Sequence, residues 1–127
     1  MPIKSFYVLG VATLMSCASA ATTPGTRRDS NLITEQEIVA STGTTAYDVI
    51  VQLRPTFLKS RGRSSINPAV PEDYATVFLD GQAYGDLNSL RNIPAIQIQQ
   101  IRYIRGTDAA ATFGMQYASG IIDVRSR

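Results

Sequence analysis

From residue 76 onward, no apolar run lasts more than a few residues before a glycine, a proline or an Asp-Gly pair cuts it. Asp80-Gly81 is a tight-turn signal, and Pro94 fixes φ where the chain reverses. Gly106 stops a β-prone run, Gly114 ends an alanine-rich stretch, and Gly120 opens the last apolar segment. Between these marks there is room only for short elements. Strands are predicted over Thr76 to Leu79, Ile101 to Arg105 and Ile121 to Val124. Short helices are predicted over Leu87 to Ile93 and over Asp108 to Phe113, the second capped by Thr107. Gly106 and Gly114 sit at element ends that need positive φ or a close backbone approach, and Gly120 lets the last strand pass tightly beside its neighbours. Strands with short helices between them, in one small chain, predict an α+β fold: a small mixed sheet in a single domain.

Two helices precede that sheet. Thr34-Glu35-Gln36-Glu37 is a capping box, in which the threonine oxygen accepts an amide hydrogen bond and Glu37 reaches back. Ile38 and Val39 are expected to supply that helix with its apolar contact, and Gly43 lies past its end. Thr45 to Asp48 repeats the signal with Asp in place of Glu. Ala46, Val49, Ile50 and Leu53 then fall on one helical face, and Pro55 ends it. Lys59 to Asp73, with its alternating basic, Ser and Gly residues and two prolines, reads as a long exposed loop.

The first twenty residues read as an address. Lys4 gives a positive start, Phe6 to Met15 an apolar run, and small residues follow. That run is about ten residues, where spanning a bilayer takes about 20, so a signal peptide is expected rather than a membrane anchor. Two cleavage patterns overlap in it. Ala18-Ser19-Ala20 is an ordinary secretory site, and Leu14-Met15-Ser16-Cys17 resembles the bacterial lipobox, whose cysteine carries the lipid. The position of Cys17, where the apolar run ends, favours lipid attachment there. Ala18 after it is not the aspartate associated with retention at the inner membrane. An outer-membrane lipoprotein facing the periplasm is therefore expected, with a soluble periplasmic protein as the alternative. Residues 21 to 32 read as a flexible tether and 33 to 127 as the folded domain.

Composition narrows the chemistry. The chain has no histidine, which removes the commonest general base and the commonest neutral metal ligand. Its single cysteine cannot form an internal disulfide. Twelve basic residues against ten acidic ones are too evenly balanced to predict nucleic acid as a partner. At 44% apolar residues the chain can build one modest core.

VFLDG (77–81), LNSLRNIPA (87–95), IQQIRYIRG (98–106), AAATFG (109–114) and ASGIIDVRSR (118–127) follow one another in order. This series resembles the plug domain of TonB-dependent outer-membrane receptors. Upstream, LITEQEIVASTGTTAYDVIVQLRP (32–55) resembles the plug's opening pair of helices. The resemblance implies a plug-like mixed sheet, and it implies binding rather than catalysis. In receptors a long transmembrane barrel follows the plug. Here the sequence reaches Arg127 directly after the last plug-like strand, and no segment alternates over many strands as a barrel requires. A stand-alone interaction module is the expectation, with an accessory subunit acting beside a separate barrel receptor as the alternative. An envelope protein or a barrel receptor is the expected partner.

Catalytic, cofactor and metal sites are not expected. Lys59 is the only lysine after the leader and reads as a solvated cation. Asp80 and Asp123 form the one carboxylate pair considered for hydrolysis, but Asp80 is explained by its turn and Asp123 by the exposed face of an edge strand. Asp80, Asp86 and Asn88 lack the spacing of a calcium loop. For partner contact the candidates are the basic series Arg54, Lys59, Arg61 and Arg63, and Tyr84, placed in a loop between Gly81 and Gly85.

Overall fold

A computed structural model describes residues 28–61 and 73–127. Five strands form one mixed sheet: β1 (Leu32–Ile33), β2 (Thr76–Leu79), β3 (Gln82–Gly85), β4 (Ile98–Ile104) and β5 (Ile121–Ser126), in the spatial order β1-β4-β5-β2-β3. Only the β2–β5 pair is parallel. The fold is α+β, as expected. Three α-helices accompany the sheet: α1 (Glu35–Ala40), α2 (Ala46–Leu53) and α3 (Gly106–Phe113). Short 3₁₀ turns at Pro55–Leu58, Leu87–Asn92, Ala95–Gln97 and Met115–Tyr117 join the elements.

The capping boxes form as written. The Thr34 hydroxyl accepts from the Glu37 amide at 3.4 Å while the Glu37 carboxylate accepts from the Thr34 amide at 3.1 Å. Thr45 and Asp48 do the same for α2, at 3.3 and 3.1 Å. These caps matter because α1 and α2 have six and eight residues and cannot hold themselves together by propagation. Ala46, Val49 and Ile50 are fully buried, and α2 ends at Leu53, before Pro55. Ile38 is buried as expected, whereas Val39 is 69% exposed, because one turn of α1 can aim only one of two consecutive side chains at the sheet. Gly43 lies past the end of α1, as expected. α1 is already capped at Ser41, and a Cβ on Gly43 would stand 2.7 Å from the Val49 amide nitrogen.

The two faces of the sheet are covered unequally. One face carries the main core, where Ile33, Val77, Ile98, Ile101, Tyr103, Ile122 and Val124 pack against Ile38, Val49, Ile50, Phe57 and Leu90. The other carries a smaller cluster of Phe78, Ala109 and Ile121, with Ile104 and Tyr117 against it. That second layer is an aromatic group: Phe78 meets the edges of Phe113 and Tyr117 at centroid separations of 5.4 and 5.1 Å. α3 covers only part of its face.

Several glycines are required by geometry. Asp80 (φ 51°) and Gly81 (φ 84°) are both left-handed, the conformation of a two-residue hairpin turn, and they connect β2 to β3. The sequence signals this turn plainly but does not signal β3. The four residues of β3 are all exposed, and none has the β-branched, alternating character of a strand. At Gly106 an ideal Cβ would lie 1.8 Å from the Ala118 carbonyl oxygen. This glycine serves a close approach, so α3 opens earlier than expected. Arg105 occupies the cap position, and Thr107 lies inside the helix and does not cap it.

Asp123 requires a correction. The sequence reading puts it on the exposed face of an edge strand. Instead β5 is the middle strand, hydrogen-bonded on both sides, and Asp123 is only 7% exposed. The difference has a physical origin: a parallel β2–β5 pair joins segments far apart in sequence, and nothing local announces it.

Candidate functional site

The basic series expected to make partner contacts is not one patch. Arg54 is half-buried; its guanidinium donates to the Glu37 carboxylate at 3.2 Å and to the Leu53 carbonyl at 2.9 Å. Burial pushes the Glu37 carboxyl up, but the Thr34 amide and the Arg54 charge outweigh it, so the net direction is below the ordinary carboxylate value. The pair ties α1 to the end of α2. Arg61 donates from Nε to the Tyr103 hydroxyl at 2.7 Å, with its guanidinium carbon 4.9 Å from that ring's centre. Tyr103 in turn stacks on Phe57 at 5.1 Å. The segment leaving the 3₁₀ turn is thereby fastened to the sheet. Lys59 is exposed, and Arg63 and Cys17 lie outside the described residues.

Tyr84 is correctly an exposed aromatic, at 45%, but it sits on the edge strand β3 and not in a loop. Tyr74, Tyr84 and Tyr117 line one open groove along β2 and β3. Sequence reasoning singles out Tyr84 alone. The other two are brought beside it by chain reversal and by the packing of the Met115–Tyr117 turn, so no spacing in the sequence marks the group.

The carboxylates considered for hydrolysis are separately employed. Asp80 accepts from the Ser126 amide at 2.9 Å and the Ser126 hydroxyl at 2.7 Å, which holds its carboxyl below the ordinary value. Asp86 caps the Leu87–Asn92 turn by accepting from the Ser89 amide at 3.3 Å, and it accepts from Asn88 Nδ2 at the same distance. Asp80, Asp86 and Asn88 thus serve turns. Asp123 accepts from Arg125 Nε at 3.3 Å through Oδ2 only. Its Oδ1 is buried and has no hydrogen-bond partner among the described residues.

A cleft of about 460 Å³ opens beside Asp123. Gln100, Arg102 and Ile104 of β4, Asp123 and Arg125 of β5, Phe78, Gly81 and Phe113 line it. It occupies the part of the second sheet face that α3 leaves uncovered. Among the described residues no helix is long and apolar enough to cross a membrane, and no group of acidic side chains is placed to hold a metal ion. Comparison with protein-family models, with curated proteins and with solved structures finds no match to this chain.

Proposed function

We propose that this chain is a non-enzymatic binding module of the bacterial cell envelope, with a plug-like fold, held at the membrane by lipid on Cys17 and binding another envelope protein. One observation carries the reading: the segments that resemble a receptor plug become elements in the order the resemblance implies. VFLDG forms β2 and its Asp80-Gly81 turn, and IQQIRYIRG forms β4 and leads into Gly106. AAATFG forms α3 and its Gly114 end, and ASGIIDVRSR forms β5 after Gly120. The side-chain inventory agrees with binding rather than catalysis. The chain has no histidine to serve as a base, and the Asp80 and Asp86 carboxylates are engaged by turns. Lys59 and Tyr84 are exposed members of the expected contact set and the first positions to vary.

The test is co-purification from membranes in mild detergent through a tag at Arg127, with mass spectrometry of what is retained. A stoichiometric envelope partner is expected, and a barrel receptor in that role would make the chain an accessory of transport. Cys17→Ser is expected to move the protein from the membrane fraction to the soluble one. Wild-type protein recovered alone would overturn the binding role, and a Cys17→Ser variant still wholly in membranes would overturn the lipid anchor.

A further inference from the structure

The fold gives the ring of Tyr84 no task. It is 45% exposed, and it makes no ring contact, cation contact or side-chain hydrogen bond among the described residues. Its position is nevertheless specified. Ala83 pairs with Phe78 and Gly85 with Val77, so Tyr84 is the extra residue of a β-bulge in the edge strand β3. A bulge re-aims the side chain it carries. The chain stays extended through Asp86 (φ -88°, ψ -176°), so Tyr84 and Asp86 fall on one side of it, about 7 Å apart along the strand direction. Both line the open groove of about 580 Å³ that Tyr74 and Tyr117 also border. Asp86 and Tyr74 line a second hollow of about 380 Å³ next to it.

The charge in this region has one sign. Among the described residues lining the two hollows Asp86 alone is charged, and there is no arginine or lysine. Asp86 Oδ1 accepts from the Ser89 amide and Oδ2 from Asn88 Nδ2, each at 3.3 Å, and each oxygen keeps a lone pair for a further donor. Aromatic faces are electron-rich and attract cations, so exposed rings beside a carboxylate select positive charge. An anion would be repelled by Asp86, and an apolar group would desolvate that carboxylate without pairing it. A guanidinium meets both demands: its flat face lies on a tyrosine while its N–H groups donate to the carboxylate. An ammonium is compact and strongly hydrated and cannot stack in this way. The chain shows the same preference internally. Arg61 and Arg91 lie over Tyr103 and Tyr47, 4.9 and 4.2 Å from the ring centres.

We propose that the groove receives an arginine side chain of the envelope protein this module binds, its guanidinium stacked on Tyr84 and paired with Asp86. The inference rests on the binding-module reading above and names the contact through which it acts. Tyr74 and Tyr117 supply walls for the aliphatic stem of the arginine. One guanidinium in an open groove binds weakly, with a Kd on the order of 1–10 mM, and the rest of the interface supplies the remaining affinity.

The experiment is an NMR titration of the isotope-labelled full chain with a blocked glycine-arginine-glycine tripeptide, and with its lysine and citrulline counterparts. Citrulline keeps the shape of arginine and lacks its charge. The arginine peptide is expected to shift the amides of Ala83 to Asp86 saturably, the lysine peptide to bind about three-fold more weakly, and the citrulline peptide at least about five-fold more weakly. Tyr84→Leu keeps apolar area without the ring, and Asp86→Asn keeps the turn cap without the charge. Each is expected to weaken arginine-peptide binding by about three-fold or more, with circular dichroism confirming the fold. No shift of these amides at about 50 mM, roughly five times the weakest Kd expected, would overturn the proposal. So would citrulline or lysine binding as tightly as arginine, or affinity unchanged in both variants. In the membrane co-purification, the Tyr84→Leu, Asp86→Asn double variant is expected to lose the partner that wild type retains. A partner held equally by both would overturn the groove and leave the binding role standing. Peptide binding by a wild-type chain recovered without any partner would overturn that role and leave the arginine site standing.

Discussion

Replacing Gly106 by alanine tests the packing on which the second sheet face depends. Its Cβ would lie 1.8 Å from the Ala118 carbonyl oxygen and 2.8 Å from that residue's carbonyl carbon, both backbone atoms. A comfortable carbon–oxygen contact needs about 3.2 Å or more, so the two backbone segments would have to separate by about 1.4 Å. No rotamer change can provide this. The movement would pull the start of α3 away from the turn that delivers Gly120, and Gly120 already lies against the Tyr103 hydroxyl. Overpacking typically costs about 1–3 kcal/mol and more where the backbone must yield, so about 3 kcal/mol is expected here. In a domain of this size that corresponds to a Tm lower by roughly 12–24 °C. Urea unfolding followed by circular dichroism should show a midpoint lower by about 1–3 M. Gly81→Ala is the control. Its Cβ meets nothing within 4 Å, so only the φ of 84° opposes it, at about 1 kcal/mol. Equal costs for the two substitutions, or a Gly106→Ala cost under about 0.5 kcal/mol, would refute the close approach.

Glu37 and Asp80 both have carboxyls held below their ordinary values, so each adds stability above about pH 4 that is lost as pH falls through its folded value. Ser126→Ala, which removes one donor to Asp80, is expected to make the acid limb of a stability-against-pH curve shallower, and an unchanged limb would disprove that link. Asp123→Asn removes a buried charge with one unpaired oxygen while keeping its shape, and chemical denaturation is expected to find it between neutral and about 1 kcal/mol more stable. A loss above about 2 kcal/mol would show that its Arg125 pair is structural. Tyr103→Phe deletes the acceptor for Arg61 Nε and should cost about 0.5–1.5 kcal/mol in the same assay. Arg61→Ala combined with Tyr103→Phe should then add little beyond lost packing.

The local chemistry is legible where neighbours in sequence are neighbours in space. Both capping boxes, the Asp80-Gly81 hairpin, the Pro55 stop and the apolar face of α2 depend on spacings of a few residues, and all appear as read. What stays hidden depends on long-range pairing. β1 is two residues long and exists because Leu32 and Ile33 pair with Arg102 and Ile101 of β4. β3 is a strand because a hairpin turn returns it to β2, against its own weak propensity. The basic residues 54, 59 and 61 look like one cluster in the sequence. Their separation comes from Glu37 and Tyr103, which take Arg54 and Arg61 respectively from positions 17 and 42 residues away.

The placement of Asp123 follows the same logic one level higher. Residues 121–124 of β5 are buried on both faces, which a middle strand demands, and four consecutive apolar residues would be the ordinary solution. Ile121, Ile122 and Val124 obey it. Asp123 occupies the one register position where the second layer is incomplete, because α3 ends at Phe113 and its aromatic group covers Phe78 and Ile121 but does not close the cleft beside Asp123. A longer or shifted α3 would have sealed that position and required a hydrophobe there. A shorter one would have let water reach both carboxylate oxygens and left the Arg102–Asp123 pair as an ordinary exposed cross-strand contact. The length of α3 therefore fixes how strongly the carboxylate is held from water. Any change that extends α3 past Gly114 should seal the cleft further and make a hydrophobe at position 123 the more stable choice.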